Sequence, residues 1–328
     1  MSRGTSFSSV VGPTIVSYLA LKEALGRRFA VERGILTHLD AFLAAAAADL
    51  SAETFSTWCS SRQHTTSGVR RNWMRVVRNL CLYRRRTDPS CFVPDSSQFP
   101  PLHQPVQPHI FTEDEIVRLL AAVEQLKLGN RSPLRRENFR LGLVLLYTTG
   151  LRRGELLRLT VGDYDAVERT LLIRESKFHK TRLLPLSPDG AREVETYLEI
   201  RRARRVAVSS DSPLLWNAYH GGKGYTGEGF GSTVRGLFKA TDIRTSAGRT
   251  PRVHDFRHAF AARALLRWYQ VGDDVQAKLP LLATYMGHVS IVSTQYYLRF
   301  IDELATAASD RFAKHCGALI TLSGRARP

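Results

Sequence analysis

The stretch Tyr147-Thr-Thr-Gly-Leu-Arg-Arg-Gly-Glu155 follows a strongly apolar run, residues 138–147, that suits a buried helix. Gly150 marks the end of that helix, and charge begins at once with Arg152, Arg153 and Glu155. Four further strings carry the same kind of side chain out of an apolar setting. They are Ser176-Lys177-Phe-His-Lys180-Thr-Arg182-Leu-Leu-Pro185-Leu186, His254-Asp-Phe-Arg257-His258, Met286-Gly-His288 and Ser293-Thr-Gln-Tyr-Tyr297. Arg152, Lys177, His254, Arg257, His288 and Tyr297 are each suited to holding or attacking a phosphodiester.

Around these strings the helical period dominates. Residues 12–93 read as helices, with apolar positions at Ile15, Tyr18, Leu19, Leu21 and Leu25, then Leu36, Leu39, Phe42 and Leu43, then Phe55, Trp58 and Cys59. A fourth helix from Val69 to Arg86 interleaves arginines with an apolar stripe, a pattern that serves equally as a solvated face or as a phosphate-contacting one. Residues 94–110 hold Pro94, Pro100, Pro101, Pro105 and Pro108 and read as an extended, semi-rigid linker. Thr112-Glu-Asp-Glu115 is a capping box, so a second domain begins there. Short β-type runs at 171–174 and 182–186 flank Lys177 and predict a hairpin. Helices return from Asp189, one is expected to start near Ser232, and a last one covers 301–315. The expected organisation is an N-terminal helical domain (1–93), the linker (94–110), a mainly α, α+β catalytic domain with a small β-hairpin (111–316), and a tail (317–328).

Charge narrows the partner. The chain of 328 residues carries a formal net charge of +17, and only eight of its 47 basic residues are lysine. Arginine's planar fork matches phosphate oxygens in pairs, which an ammonium cannot do, so a polyanion such as nucleic acid is the expected partner. Solvated arginine faces are the plainer explanation of the same charge. Cys59, Cys81, Cys91 and Cys316 show neither metal-ligand nor disulfide-framework spacing, which suggests reduced thiols in a cytoplasmic, DNA-associated protein. No uncharged apolar run reaches the roughly 18 residues of a membrane span, and no signal pattern opens the chain. The short segment before residue 12 is expected not to form a further DNA-binding domain.

A tyrosine hydroxyl, with a reference pKa near 10, needs nearby positive charge to act as a nucleophile at neutral pH. Two arginines on the non-bridging oxygens of one phosphate would supply it without a metal ion. The order and local wording of these strings resemble the tyrosine recombinase (phage integrase) family over residues 112–300. Thr149-Gly-Leu-Arg152-Arg-Gly-Glu155-Leu156 is similar to the family's T-G-L-R-x-x-E-L, which implies that Arg152, not Arg153, is the first phosphate ligand. The same match makes Glu155 the acidic residue that orients the site. The family's G-K-G-x-K-x-R-x-x-P-L is met without its two glycines but with the lysine-to-proline spacing kept. That favours Lys177 over Lys180 as the proton donor to the leaving 5′ oxygen. His254 and Arg257 fit H-x-x-R and share a helix face. Met286-Gly-His288 stands where Leu-Gly-His is commoner, and Tyr297, not Tyr296, falls at the nucleophile's spacing. The resemblance implies a site-specific recombinase acting through a 3′-phosphotyrosine, as an integrase, a transposon-borne enzyme or a resolvase of replicon dimers. It further implies duplex DNA as partner, a homotetramer or hetero-tetramer on two sites, and no cofactor or metal.

Other readings have sequence support. An idle DNA-binding accessory protein of the same fold would be free to lose Tyr297 or Arg257. A metal-dependent nuclease could use His254 and His258 at i, i+4, but no third ligand is evident and Arg257 would go unexplained. Gly222-Lys-Gly-Tyr-Thr-Gly227 spells a dinucleotide-binding motif without the strand before it or the acidic residue after it, and reads as a loop.

Overall fold

A computed structural model describes residues 7–27, 29–101, 107–129, 132–174, 181–218 and 222–288. They fall into two compact units divided between residues 106 and 107.

The first unit is helical throughout. Helices α1 (Gly12–Ala24), α2 (Ala30–Ala45), α3 (Ala52–Ser60) and α4 (Ser67–Arg84) pack chiefly through the α2–α4 and α1–α4 contacts. Ile15, Tyr18 and Leu19 from α1, Leu36, Leu39 and Leu43 from α2, Trp58 from α3 and Val76, Val77 and Leu80 from α4 are buried together, the stripes that the spacing predicts. Leu25 departs from the expected stripe. It lies beyond the last turn of α1 as the C-cap and is exposed. Asp40, buried on α2, accepts the backbone N–H groups of Ser8 (2.9 Å) and Ser9 (3.0 Å) and so ties the entering chain to the helices.

Two arginines of α4 have work inside the unit. Arg71 donates to the carbonyl of Pro100 (2.8 Å), and Arg78 donates to that of Pro94. Phe99 is buried in the first core, and a 3-10 turn covers Ser96–Gln98. The first half of the expected linker is therefore packed and hydrogen-bonded rather than merely extended. Proline punctuation reports the lack of a helix, not the lack of a partner for a lone phenylalanine.

The second unit is built on α6 (Arg135–Thr149), whose Phe139, Leu141, Leu143, Leu145 and Leu146 are all buried. Around it pack α5 (Glu113–Glu124), α8 (Pro188–Ala203) and α10 (Asp255–Gln270), while α9 (Gly227–Ala240) packs on α5. The Thr112 capping box is present with both reciprocal hydrogen bonds. The hairpin is also present. Strands β2 (Thr170–Ile173) and β3 (Arg182–Pro185) pair antiparallel with Leu171 opposite Leu184 and Ile173 opposite Arg182. A two-residue strand β1 (Tyr164–Asp165) adds to the free side of β2. At two residues it is too short to show an alternating pattern in the sequence.

One helix starts elsewhere than expected, and one arginine has an internal role. Helix α9 begins at Gly227, five residues ahead of Ser232, because Thr226 caps it by accepting the Gly229 N–H (3.0 Å). The three glycines in its first five residues disguise the start as loop. Arg201 on α8 is fully buried, where an arginine tail would suggest solvent. It donates to the carbonyls of Pro213 (2.7 Å) and Leu214 (3.1 Å) and to Ser212 Oγ (3.0 Å), tying that connection to the helix. The expected helix at 301–315 and the tail lie outside the described residues. Among the described residues no helix is long and apolar enough to cross a membrane.

Candidate active site

Helix α6 ends at Gly150, in the left-handed region at φ +62°. A Cβ there would come within 2.5 Å of the Phe260 ring, so this turn needs glycine for its backbone and for the close approach of α10. Leu151 is buried, and Arg152 then caps the four-residue helix α7 (Arg153–Leu156). The chain reverses at Gly150 and puts Arg152 beside Glu155. That carboxylate accepts the backbone N–H of Arg152 (3.0 Å) on Oε2 and its Nη1 (2.7 Å) on Oε1.

The other end of the site is made by α11 (Val275–Met286), which also stops at a left-handed glycine, Gly287 at φ +66°. The His288 N–H closes back onto the carbonyl of Ala283 (2.8 Å) in a Schellman turn, and this sets where His288 leaves the helix. Both arginines of the sequence analysis reach this turn. Arg152 Nη2 donates to the carbonyl of Gly287 (3.0 Å). Arg257 is 1% exposed and bridges the two helix ends, donating to the carbonyls of Gly150 (2.7 Å) and Met286 (2.6 Å).

Arg257 reaches that bridge because α10 starts beside it. Phe256 stacks on Phe111 at 4.4 Å, and Phe111 on Phe238 of α9 at 5.6 Å, which anchors the first turn of α10 in the core. Asp255, almost fully buried, accepts from the Arg252 backbone N–H (2.8 Å) and its guanidinium (2.8 Å) and closes the loop into the helix. His254 is the N-cap residue, one turn ahead of Arg257, and His258 packs edge-on against its ring at 4.8 Å. His258 is thus a packing neighbour of His254. Among the described residues no cluster of three metal-type ligands accompanies the pair.

The electrostatics follow from this crowding. Burial pushes the His288 pKa down to about 3, helped by the charges of Arg257, Arg152 and Arg182. Burial and Arg257 also lower His254, against the opposing pull of Asp255, and His258 falls to about 4 through burial and His254. Burial alone would raise Glu155. The hydrogen bonds and charge of Arg182 and Arg152 outweigh it and hold the carboxyl at about 2. The result is a cationic cluster with neutral imidazoles, an arrangement that favours a bound oxyanion.

Arg152, His254, Arg257 and His288 are therefore brought together from three separate helix ends. Lys177 and Tyr297 lie outside the described residues. Arg182 has a place that the sequence did not assign. From the start of β3 it donates to both oxygens of Glu155 (3.3 and 3.0 Å) and, through Nε, to the carbonyl of Tyr285 (2.9 Å). Its position in the string after Lys177 was visible, but its partners lie 27 and 103 residues away.

This fold and this set of helix ends place the chain in a known class. The profile of the phage integrase family matches residues 109–303. Two Sinorhizobium fredii proteins named as integrase/recombinases are similar over nearly their whole length. One, y4rB, is 30% identical over 92% of this chain and 96% of its own, and the other, y4rE, is 31% identical over 94% and 98%. The tyrosine recombinase XerC of Herpetosiphon aurantiacus is 34% identical over 50% of this chain and 48% of its own. The protein belongs to the phage integrase family of tyrosine recombinases. Among solved structures, a Tn1549 transposon integrase bound to circular intermediate DNA has the same fold (TM-score 0.64, 16% identity, 88% of this chain and 95% of that one). A lambda integrase dimer bound to a core site does too (TM-score 0.60, 14% identity, 90% and 79%).

Proposed function

We propose that this protein is a site-specific DNA recombinase that cuts and rejoins duplex DNA through a 3′-phosphotyrosine on Tyr297. The observation that carries the reading is the meeting of Arg152, Arg257, His254 and His288 at one site, where the neighbouring carboxylates, Glu155 and Asp255, are each engaged by arginine. A phosphodiester placed in it would meet guanidinium donors on its non-bridging oxygens. His254 and His288, neutral before DNA arrives, would gain protons as the phosphate's charge offsets the arginines. Tyr297 Oη passes its proton to His288 as it attacks phosphorus, the P–O bond to the 5′ oxygen breaks, and Lys177 gives that oxygen a proton. The phosphoester is conserved for the return step, so neither nucleotide nor metal is called for.

Double-stranded DNA is the partner in this reading. The N-terminal unit, roughly residues 1–93 and the packed part of 94–110, grips the duplex while the second unit acts. Four protomers, identical or mixed with related recombinases, act on two sites. Support comes from full-length relatives named as integrase/recombinases and from fold neighbours whose structures contain DNA. The likeness to a transposon integrase makes a transposon-borne role the first of the three to examine.

A nicked duplex taken from the DNA flanking the gene tests the reading. Wild type should form a denaturant-resistant adduct, with or without chelator, and Tyr297→Phe should form none. Specific binding without an adduct would favour an accessory protein of the same fold. Cleavage without an adduct, abolished by chelator, would favour a metal-dependent nuclease.

A further inference from the structure

We propose that Arg182 is a positioning residue that sets Arg152 and His288 in register by locking Glu155 to the turn after α11. The inference rests on the recombinase reading above and adds a residue to it.

The geometry is a closed circuit. Glu155, whose side chain is 2% exposed, takes two bonds from Arg152 and two from Arg182, one of each on each oxygen. Arg182 passes the constraint on through Nε to the Tyr285 carbonyl. Arg152 closes the loop through the Gly287 carbonyl. The guanidinium also packs against Gly287, where an added Cβ would come within 2.8 Å of its Nη1. Hairpin, helix start and histidine turn are thus pinned by one side chain that is itself only 11% exposed.

Two consequences follow from the fork shape. With Arg182 in place, each Glu155 oxygen is shared, so Arg152 spends a single side-chain bond on it. Without Arg182, Glu155 is free to take Arg152 in a bidentate clamp, turning its remaining donors away from an incoming phosphate. The turn carrying His288 would lose its tie to the hairpin as well. Lysine cannot replace this function, because one ammonium cannot span the carboxylate and the Tyr285 carbonyl with fixed planarity. A misplacement on the scale of 1 Å is enough to cost about a hundredfold in rate.

The test compares wild type, Arg182→Gln and Arg182→Lys in single-turnover adduct formation on the nicked duplex and in duplex affinity over a range of salt. Adduct formation should slow by about tenfold or more in Arg182→Gln, while affinity stays within about twofold. Arg182→Lys should recover only part of the rate. Combined with Glu155→Gln, the losses should fall well short of additive. Wild-type rates in either folded variant, or additive losses, overturn the proposal. So does weaker affinity with a salt slope reduced by about one, which would make Arg182 a phosphate contact instead. Should circular dichroism show Arg182→Gln unfolded, the longer and still charged Arg182→Lys carries the comparison. The wild-type adduct is the control for the underlying reading: if it never forms, that reading fails independently of Arg182.

Discussion

Glu155 is the residue on which the charges of the site balance. Its carboxyl is held at about 2 against an ordinary 4.5, by bonds made only in the folded chain. A depressed folded pKa stabilises the native state above the unfolded value and is lost as pH falls toward the folded one. The window therefore runs from pH 4.5 down to about 2, and the depression corresponds to about 3 kcal/mol. Glu155→Gln is expected to lower the unfolding free energy at pH 7 by about 3 kcal/mol, since two partly buried guanidinium groups lose their counter-charge. The gap between the variant and wild type should shrink as pH drops through that window. Denaturant titrations of both proteins from pH 7 to pH 3 would show it, and a gap that does not change with pH would refute the assignment.

At the scale of elements, the site is made where helices stop. α6 and α11 each end at a left-handed glycine, and the carbonyls freed there, on Gly150, Met286 and Gly287, are the acceptors that hold Arg257 and Arg152. Helix C-termini carry partial negative charge, so guanidinium groups are stabilised there even before a ligand arrives. Gly150→Ala combines a positive φ with a 2.5 Å approach to Phe260. It should destabilise the protein by about 1–3 kcal/mol. It should also slow adduct formation, because the Gly150 carbonyl that positions Arg257 moves with the turn. Thermal unfolding and single-turnover cleavage would report the two effects, and a variant matching wild type in both would contradict this account.

At the scale of the whole molecule, a net charge of +17 acts over the entire surface. Phosphate contacts release counterions, so the logarithm of DNA affinity should fall linearly with the logarithm of salt, with a slope near −0.9 per contacted phosphate. Filter binding or fluorescence anisotropy from about 50 to 200 mM salt would measure it, with losses on the order of a thousandfold for six or more contacts. A flat dependence would refute charge-driven binding. Not all of the charge is available. Arg71, Arg78 and Arg201 are committed to backbone carbonyls inside the protein, and Arg182 to Glu155 and the Tyr285 carbonyl. The slope should therefore fall well below what the arginine count would suggest.

Most helices, the Thr112 capping box and the hairpin were legible in the chain because each depends on neighbours close in sequence. A 3.6-residue period, Thr112 with Glu115, and short β-type runs on either side of Lys177 need no tertiary context. The strings around Arg152, His254, Arg257 and His288 were equally legible, since each contains its own turn glycine or helix start. The start of α9 was not, because three glycines mask a helix whose capping threonine and buried Phe230 and Val234 outweigh their low propensity. Nor were the roles of Phe99, Arg71, Arg78, Arg182 and Arg201. An arginine in a sequence carries the same charge whether it faces solvent, a phosphate or a buried carbonyl. Only the fold, by bringing Glu155, Tyr285 and Gly287 within 3.3 Å of two guanidinium groups, decides which of these it meets.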